Sequence, residues 1–425
     1  MDKMNVLIIV SGAREHALGW KISQSRKIDK LFFGPGNPGT SRLGTNLSLR
    51  TDDFETIKKE VLDHEIELVI VGPEVPLAAG IRDFFEADDQ LGNVRMVGPG
   101  KSGARLESSK DFAKSFLLRH KIPTAAYNSV TSDTIDQGYR FLDSVKPPYV
   151  LKADGLAAGK GVIILDSLSE AKQCLKEMLD GKFGNASSTV VIEEFLKGTE
   201  LSVFILTDGK DWLLIPEAKD YKKIGENDTG LNTGGMGAVS PVPFANEAFM
   251  QKVISRIIRP TIQGIQQEQL DYNGFIFFGL INCGGDPYVI EYNVRMGDPE
   301  TEAVILRIKG DFLEVLDAAA SGNLKDKTIE TDPCVAATVM LVSSGYPGDF
   351  EKGKIISGID KANHCLLFHA GTRIEQGNLK TNGGRVIAIS AKGADRNEAL
   401  ALCYENAKMI EFDGKYFRSD IGFDL

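Results

Sequence analysis

Only five cysteines occur in 425 residues, Cys174, Cys283, Cys334, Cys365 and Cys403, and no two form a Cys-x-x-Cys pair. That scatter excludes a structural zinc site, and the odd number fits a reducing cytosol better than a disulfide scaffold. A basic excess is missing too: 49 Lys and Arg stand against 59 Asp and Glu, a formal charge of −10. No surplus of cations exists to displace counterions, so nucleic acid is not an expected partner. An anionic small substrate would need a locally basic pocket. No apolar run approaches bilayer-spanning length, and the start at Met1 has no signal-peptide profile, so a cytoplasmic protein without a membrane partner is expected. Internal repeats and low-complexity tracts are also absent. What remains, 42% hydrophobic and 25% charged, is a globular composition long enough for roughly three domains.

Chemistry concentrates first in Lys152-Ala153-Asp154-Gly155-Leu156-Ala157-Ala158-Gly159-Lys160-Gly161, set between the apolar runs Val150-Leu151 and Val162-Ile163-Ile164. Gly155, Gly159 and Gly161 let the backbone approach phosphate oxygens closely, and Lys152 and Lys160 supply charge. The spacing is not that of a Walker A loop. Three residues separate Gly155 from Gly159, Gly161 follows the lysine, and Val162 to Leu165 reads as a strand. The segment is therefore the expected tip of a hairpin folded over a nucleotide.

From Met4 to about Val97, apolar strands alternate with helical segments in a doubly wound, parallel pattern. Loops such as Ser11-Gly12-Ala13-Arg14, Gly34 to Gly39, Gly72-Pro73-Glu74 and Gly98 to Lys101 follow the strands' carboxyl ends, where ligands bind in open α/β sheets. A dinucleotide fold is disfavoured, since the first loop has one glycine where three are needed. Arg14 and His16 open the first helix, where a phosphate would be favoured; a solvated arginine is the alternative. Ser109 caps a helix running to about Leu117, and Glu193-Glu194-Phe195-Leu196 follows Val190-Val191-Ile192 as an edge-like acidic segment.

Tyr288 to Met296 alternates strictly, which puts Glu291, Asn293 and Arg295 on one face and Tyr292, Val294 and Met296 on the other. A carboxylate and a carboxamide two residues apart can share one hard cation such as Mg²⁺. Gly297-Asp298-Pro299-Glu300-Thr301 then forms a turn carrying a further carboxylate. The glycine-rich stretch Lys219 to Pro241 reads as an ordered lid, and His369 as a structural histidine.

Together these segments, with Pro35-Gly36-Asn37, Asn232 to Ala238, Gly345-Tyr346-Pro347-Gly348-Asp349 and Thr381 to Val386, resemble the ATP-grasp ligases, and among them the glycinamide ribonucleotide synthetase family. The resemblance covers nearly the whole chain. It implies α/β and α+β domains: an N-terminal doubly wound parallel sheet over residues 1–105, and an ATP-grasp domain over 106–330 with a small mobile lid subdomain at about 124–192. A small C-terminal α/β domain would cover 331–425. It also implies ligation of glycine to 5-phosphoribosylamine with ATP and Mg²⁺ or Mn²⁺, a step of purine biosynthesis, by a monomer or weak homodimer. By the same resemblance Lys110, Lys152, Gly155, Gly159, Lys160 and Gly161 would hold the nucleotide phosphates. Glu193, Glu194, Phe195 and Leu196 would read adenine, and Glu200 would bind the ribose. Glu291 and Asn293 would hold the metal, and Gly12, Arg14, Asn37, Glu74, Asp220, Lys222 and Gly297 would contact substrates. Arg295, Asp298 and Lys152 would be catalytic. The chain departs from the family pattern at Val10 and Ala13 in the first loop, and at Tyr221, Lys223, Leu231 and Val239 in the lid.

Overall fold

The structure is a computed structural model that describes residues 3–10, 12–156 and 161–425. Strands β1 (Met4–Val10), β2 (Ile28–Pro35), β3 (Thr45–Asn46), β4 (Leu68–Val71) and β5 (Arg95–Val97) make a parallel sheet in the order β3-β2-β1-β4-β5. The core strands β1 and β4 are almost wholly buried, as their continuous apolar runs require in a sheet covered on both faces. The strands are added to one side of β1 and then to the other, so the crevice at the carboxyl ends of β1 and β4 is the natural ligand position. Helix α1 (Ala13–Ile22) starts there and lies close on the sheet because Gly19 has no Cβ, which would come 2.5 Å from the Phe33 ring. Helices α2 (Lys101–Ser108) and α3 (Lys110–Arg119) share Ser109, whose hydroxyl accepts from the Phe112 amide and caps α3.

Strands β6 (Tyr127–Val130), β7 (Tyr149–Ala153), β8 (Val162–Leu165) and β9 (Val190–Glu194) form a separate antiparallel sheet in the order β6-β9-β7-β8. It has its own small core, closed by α4 (Leu168–Glu177). The β7–β8 hairpin has the expected form, with Lys152 opposite Val162 as its last described pair. Strand β9 is not an edge, because β6 and β7 flank it, so the Glu193 side chain points into packed structure.

The remaining strands are β10 (Thr199–Thr207), β11 (Trp212–Asp220), β12 (Lys223–Gly225), β13 (Thr229–Asn232), β14 (Gly237–Ser240), β15 (Gly274–Cys283), β16 (Asp286–Asn293), β17 (Val335–Ser343), β18 (Leu366–His369), β19 (Thr372–Glu375), β20 (Asn378–Thr381), β21 (Arg385–Gly393) and β22 (Lys415–Tyr416). Nine of them build one sheet in the order β16-β15-β10-β11-β14-β17-β21-β18, with β22 beside β17. Helix α5 (Glu300–Val304) is packed among α1, β11, β14, β17 and β21, and α6 (Arg396–Met409) lies on β17 and β21.

The stretch Lys219 to Pro241 is therefore framework rather than a glycine-rich loop. Its two ends belong to adjacent strands β11 and β14 of the large sheet. The β12–β13 hairpin between them is tied to the C-terminal segment, where Arg418 Nη1 donates to Asp228 Oδ1 at 2.7 Å and the Tyr416 hydroxyl to the Ile224 carbonyl at 3.0 Å. Tyr221, one of the family departures, is buried there and donates to Asp424 Oδ1 at 2.9 Å. All five cysteines are free thiols, and among the described residues no helix is long and apolar enough to cross a membrane.

Candidate active site

A buried ionic triad ties the small sheet to α3. Lys152 Nζ on β7 lies 2.9 Å from Glu193 Oε1 on β9, and Lys114 Nζ on α3 lies 2.9 Å from Glu193 Oε2. All three side chains are at most 7% exposed, so the carboxylate bridging them offsets two desolvated ammonium groups. Burial pulls the Lys114 amine down to about 8, Glu193 opposing and Lys152 adding to the fall. Burial works against the Glu193 charge as well, but the two lysines outweigh it and hold the carboxyl below its ordinary value. Lys152 also reaches the Ile290 carbonyl at 3.5 Å, which places it beside the strand carrying Glu291.

Around this triad the structure gathers most residues expected at the nucleotide and metal. Lys110 Nζ donates to the Gly155 carbonyl at 3.3 Å, and its charge is felt by Glu291 and Lys152. Asp154 ties the base of the hairpin to α3, accepting from the Asp111 amide at 2.7 Å and the Ser109 hydroxyl at 3.0 Å. Glu200 pairs with Lys222 at 2.7 Å, and Asp220 stands 3.9 Å from the same ammonium. Burial pushes the Asp220 carboxyl up to about 7, with Lys222 opposing and Glu300, Glu200 and Glu291 adding to the rise. Glu194 accepts from the Ala126 amide at 2.8 Å, Phe195 is exposed and Leu196 half-buried. Gly159 and Lys160 lie outside the described residues.

The alternation from Tyr288 to Met296 is broken by a β-bulge: Glu291 opposes Gly279, and Val289 the next residue, Leu280. Beyond the bulge the expected faces hold, with Tyr292, Val294 and Met296 buried and Glu291, Asn293 and Arg295 half-buried. Gly279 keeps the Glu291 side chain unobstructed, since a Cβ there would come 3.0 Å from its Cγ. The two oxygen donors suit a hard cation, and the crowd of carboxylates near Asp220 is one that positive charge would relieve. No cluster of three His, Cys, Asp or Glu residues occurs at metal spacing among the described residues, so the remaining ligands would come from phosphate and water.

A second group surrounds the crevice of the parallel sheet. Arg295 bridges it to the first, with Nη2 2.9 Å from Glu107 Oε1, Nε 3.5 Å from Glu74 Oε2, and Asn293 Oδ1 accepting at 3.5 Å. Arg14 holds Glu15 Oε1 at 2.5 Å and donates to the Met296 carbonyl at 3.1 Å. Arg14 is thus neither solvated nor open at the helix start; Glu15 also takes the Gly12 amide at 3.0 Å. A Cβ at Gly12 would meet Asp298 Oδ2 at 3.5 Å, and Asp298 Oδ1 lies 2.9 Å from Arg385 Nη1. Gly297 accepts from the Thr301 hydroxyl at 2.6 Å and leaves room for Glu300.

Two further residues, Asn37 after β2 and His16 on α1, are held inside the structure. The Asn37 amide oxygen accepts from the Gly39 and Thr40 amides and its nitrogen donates to the His369 carbonyl. The His16 side chain is buried, and its Nδ1 accepts from the His369 amide at 2.9 Å. Burial holds His16 down to about 3 and His369 to about 4. An unfolded chain protonates both below about 6.5 while the folded chain refuses, so stability present above that pH should fall as pH drops toward 4. Denaturant midpoints measured from pH 7 to 4.5 should show this slope, and His16→Asn should make it shallower.

Sequence reasoning missed Lys114, Glu107, Glu15, Asp154 and Arg385 as site-forming groups. The signal available for Lys114 was its spacing of four from Lys110, which puts both on one face of α3.

A parallel sheet leading into two β units, with Lys152 on one, Lys110 on the helix beside it and an oxygen-donor strand on the other, defines an ATP-grasp ligase. Three models of phosphoribosylglycinamide synthetase match in succession: the N domain over residues 4–107, the ATP-grasp (A) domain over 108–301 and the C domain over 336–424. The chain belongs to the phosphoribosylglycinamide synthetase family. It is 43% identical to a phosphoribosylamine–glycine ligase of Haemophilus influenzae, over 99% of this chain and 98% of that one. The crystal structure of phosphoribosylamine–glycine ligase from Thermotoga maritima superposes with a TM-score of 0.85 at 35% identity, covering 98% and 99% of the two chains. The biotin carboxylase domain of 2-oxoglutarate carboxylase from Hydrogenobacter thermophilus, solved with MgADP, shares the fold at a TM-score of 0.72 and 14% identity, covering 98% and 92%.

Proposed function

We propose that this chain joins glycine to the amine of 5-phosphoribosylamine, converting ATP to ADP and phosphate and forming glycinamide ribonucleotide. The observation that carries the reading is the convergence of Lys110, Lys152 and Glu291 on one space, within a chain related over nearly its whole length to ligases named for that reaction. No protein nucleophile is needed. The glycine carboxylate attacks the γ-phosphoryl group, and Lys152 and Lys110 spread the developing charge. Glu291 and Asn293 would hold Mg²⁺, which when bound neutralises charge on the nucleotide phosphates. Glu193 fixes Lys152, and its carboxylate with Glu194, Phe195 and Leu196 borders the adenine position. Glu200 would take the ribose.

Arg295, oriented by Glu107 and Glu74, presents its planar fork to the glycine carboxylate or the transferred phosphoryl oxygens. The phosphoribosylamine amine then attacks the glycyl phosphate, with phosphate as leaving group. Gly12, Arg14 and Glu74 would place this substrate at the parallel sheet's crevice, with Gly297 and Asp298 across from them and Asp220 and Lys222 nearer the glycine. The chain would act in the cytoplasm, on small molecules only.

ADP release with ATP and Mg²⁺ tests the assignment. It should require glycine and freshly generated phosphoribosylamine together, with glycinamide ribonucleotide as product. Release with another acid and amine pair instead would keep the ATP-grasp class and reject this substrate pair.

A further inference from the structure

Glu302 on α5 is fully buried, and neither of its carboxylate oxygens has a hydrogen-bond partner. Its neighbour Glu300, equally enclosed, is satisfied by the Ser202 hydroxyl at 2.7 Å. The charges acting on Glu302 are Asp298, Arg385 and Arg14, and neither arginine hydrogen-bonds it. Arg385 Nη1 lies 2.9 Å from Asp298 Oδ1 and donates to the Asp298 and Gly234 carbonyls at 2.9 and 2.7 Å. Arg14 is spent on Glu15 and the Met296 carbonyl.

Other charged groups on the elements packed around α5 are engaged elsewhere. On β11, Lys219 pairs with Asp424, Asp220 stands near Lys222, and Glu217 accepts from the Val242 amide. On β21, Lys392 pairs with Asp332, and just after α5, Arg307 donates to the Ser240 hydroxyl. On α1, His16 accepts from His369, and Lys21 feels Asp311. Strands β14 and β17 carry no titratable side chain. An ionised carboxylate with no hydrogen-bonded donor and no paired cation in such surroundings is far costlier than a carboxylic acid.

We propose that Glu302 is a positioning residue of the ligation reaction: it remains a neutral carboxylic acid, and its neutrality keeps the Arg14, Glu15, Asp298 and Arg385 group from turning net negative toward an anionic substrate. With Glu302 uncharged those four side chains sum to zero. Burial first, and Asp298 second, push its carboxyl well above the ordinary range, against Arg385, its own backbone amide and Arg14. The substrate half of this inference rests on the phosphorylated amine proposed above, which would approach beside Gly12 and Asp298; the protonation half does not.

The test compares wild type with Glu302→Gln, which keeps shape without a titratable proton, and with Glu302→Met should the amide not fold. Substrate-free unfolding is followed from pH 5 to 9. Above the ordinary carboxylate pKa the unfolded chain has lost the proton that the folded chain keeps. The wild-type unfolding constant should therefore grow by about tenfold per pH unit relative to the variant. Parallel curves would mean an ionised Glu302 and would overturn the proposal.

Steady-state kinetics of the intact enzyme form the second arm. Carried on above pH 9 to the point where the wild-type unfolding slope flattens and Glu302 has therefore ionised, the wild-type KM for the phosphorylated amine should rise while kcat holds, and Glu302→Gln should flatten that rise. Diverging unfolding curves with superimposable KM profiles would reject the positioning role. Failure of wild type to ligate at any pH would reject the proposed function instead, and would leave the unfolding comparison intact.

Discussion

Glu291→Ala is expected to lower turnover by about 1,000-fold or more while leaving the melting temperature nearly unchanged. The side chain is half-buried, lies opposite a glycine and sits among both carboxylates and lysines, so its removal leaves no cavity, and the repulsion relieved at Asp220 offsets the attraction lost to Lys110 and Lys222. The loss should fall on catalysis because Asn293 alone offers one neutral oxygen where a cation needs a charged one. Two titrations locate the defect. Affinity for ADP in the presence of Mg²⁺ should drop, whereas ADP binding in chelator, which depends on Lys110, Lys152 and the Glu193 segment, should persist. An active Glu291→Ala enzyme would overturn the metal assignment.

The largest stability loss is expected at Glu193. Glu193→Ala strands Lys114 and Lys152 as buried ammonium groups facing each other, and breaking such a set costs about 3–5 kcal/mol. The loss has a pH signature. With its carboxylate gone, Lys114 should release its proton at a pH below its present value of about 8, whereas an unfolded lysine holds on to about 10.4. The unfolded state then binds more protons over that interval, so stability of the variant should climb as pH rises toward 10. Chemical denaturation at pH 7 and 9.5 reads both the drop and its partial recovery; equal losses at the two pH values would mean that the lysines are not the cause. Glu193→Gln, which keeps the shape and one accepting oxygen for the two ammonium groups, should lose less.

Much of this was legible in the residues because period and punctuation agreed. The β7–β8 hairpin follows from two apolar runs around a glycine-rich basic turn, and the Ser109 cap from a serine before an amphipathic run. The parallel sheet follows from apolar strands ending in glycine loops. Errors arose where tertiary pairing decides. Glu193-Glu194 looks like an edge because acids seldom enter a sheet interior, yet two lysines distant in sequence offset the charge. The glycines of Lys219 to Pro241 imitate a loop, but β14 is held by a neighbour far along the chain. Glu302 was silent in the sequence, since nothing local marks a carboxyl that will have no partner.

That distant neighbour has a consequence in time. Strand β14 ends at Ser240 and pairs with Ala336 on β17, so nearly a hundred residues must leave the ribosome before that side of it is covered. At usual rates of synthesis the wait is about 5–20 s. Throughout it the nascent chain presents Gly237-Ala238-Val239-Ser240, apolar and uncharged, as an open ladder rung beside β11. The C-terminal segment thus serves as the closing piece of assembly, and a ribosome stalled short of it would leave a chain prone to pair with its own kind.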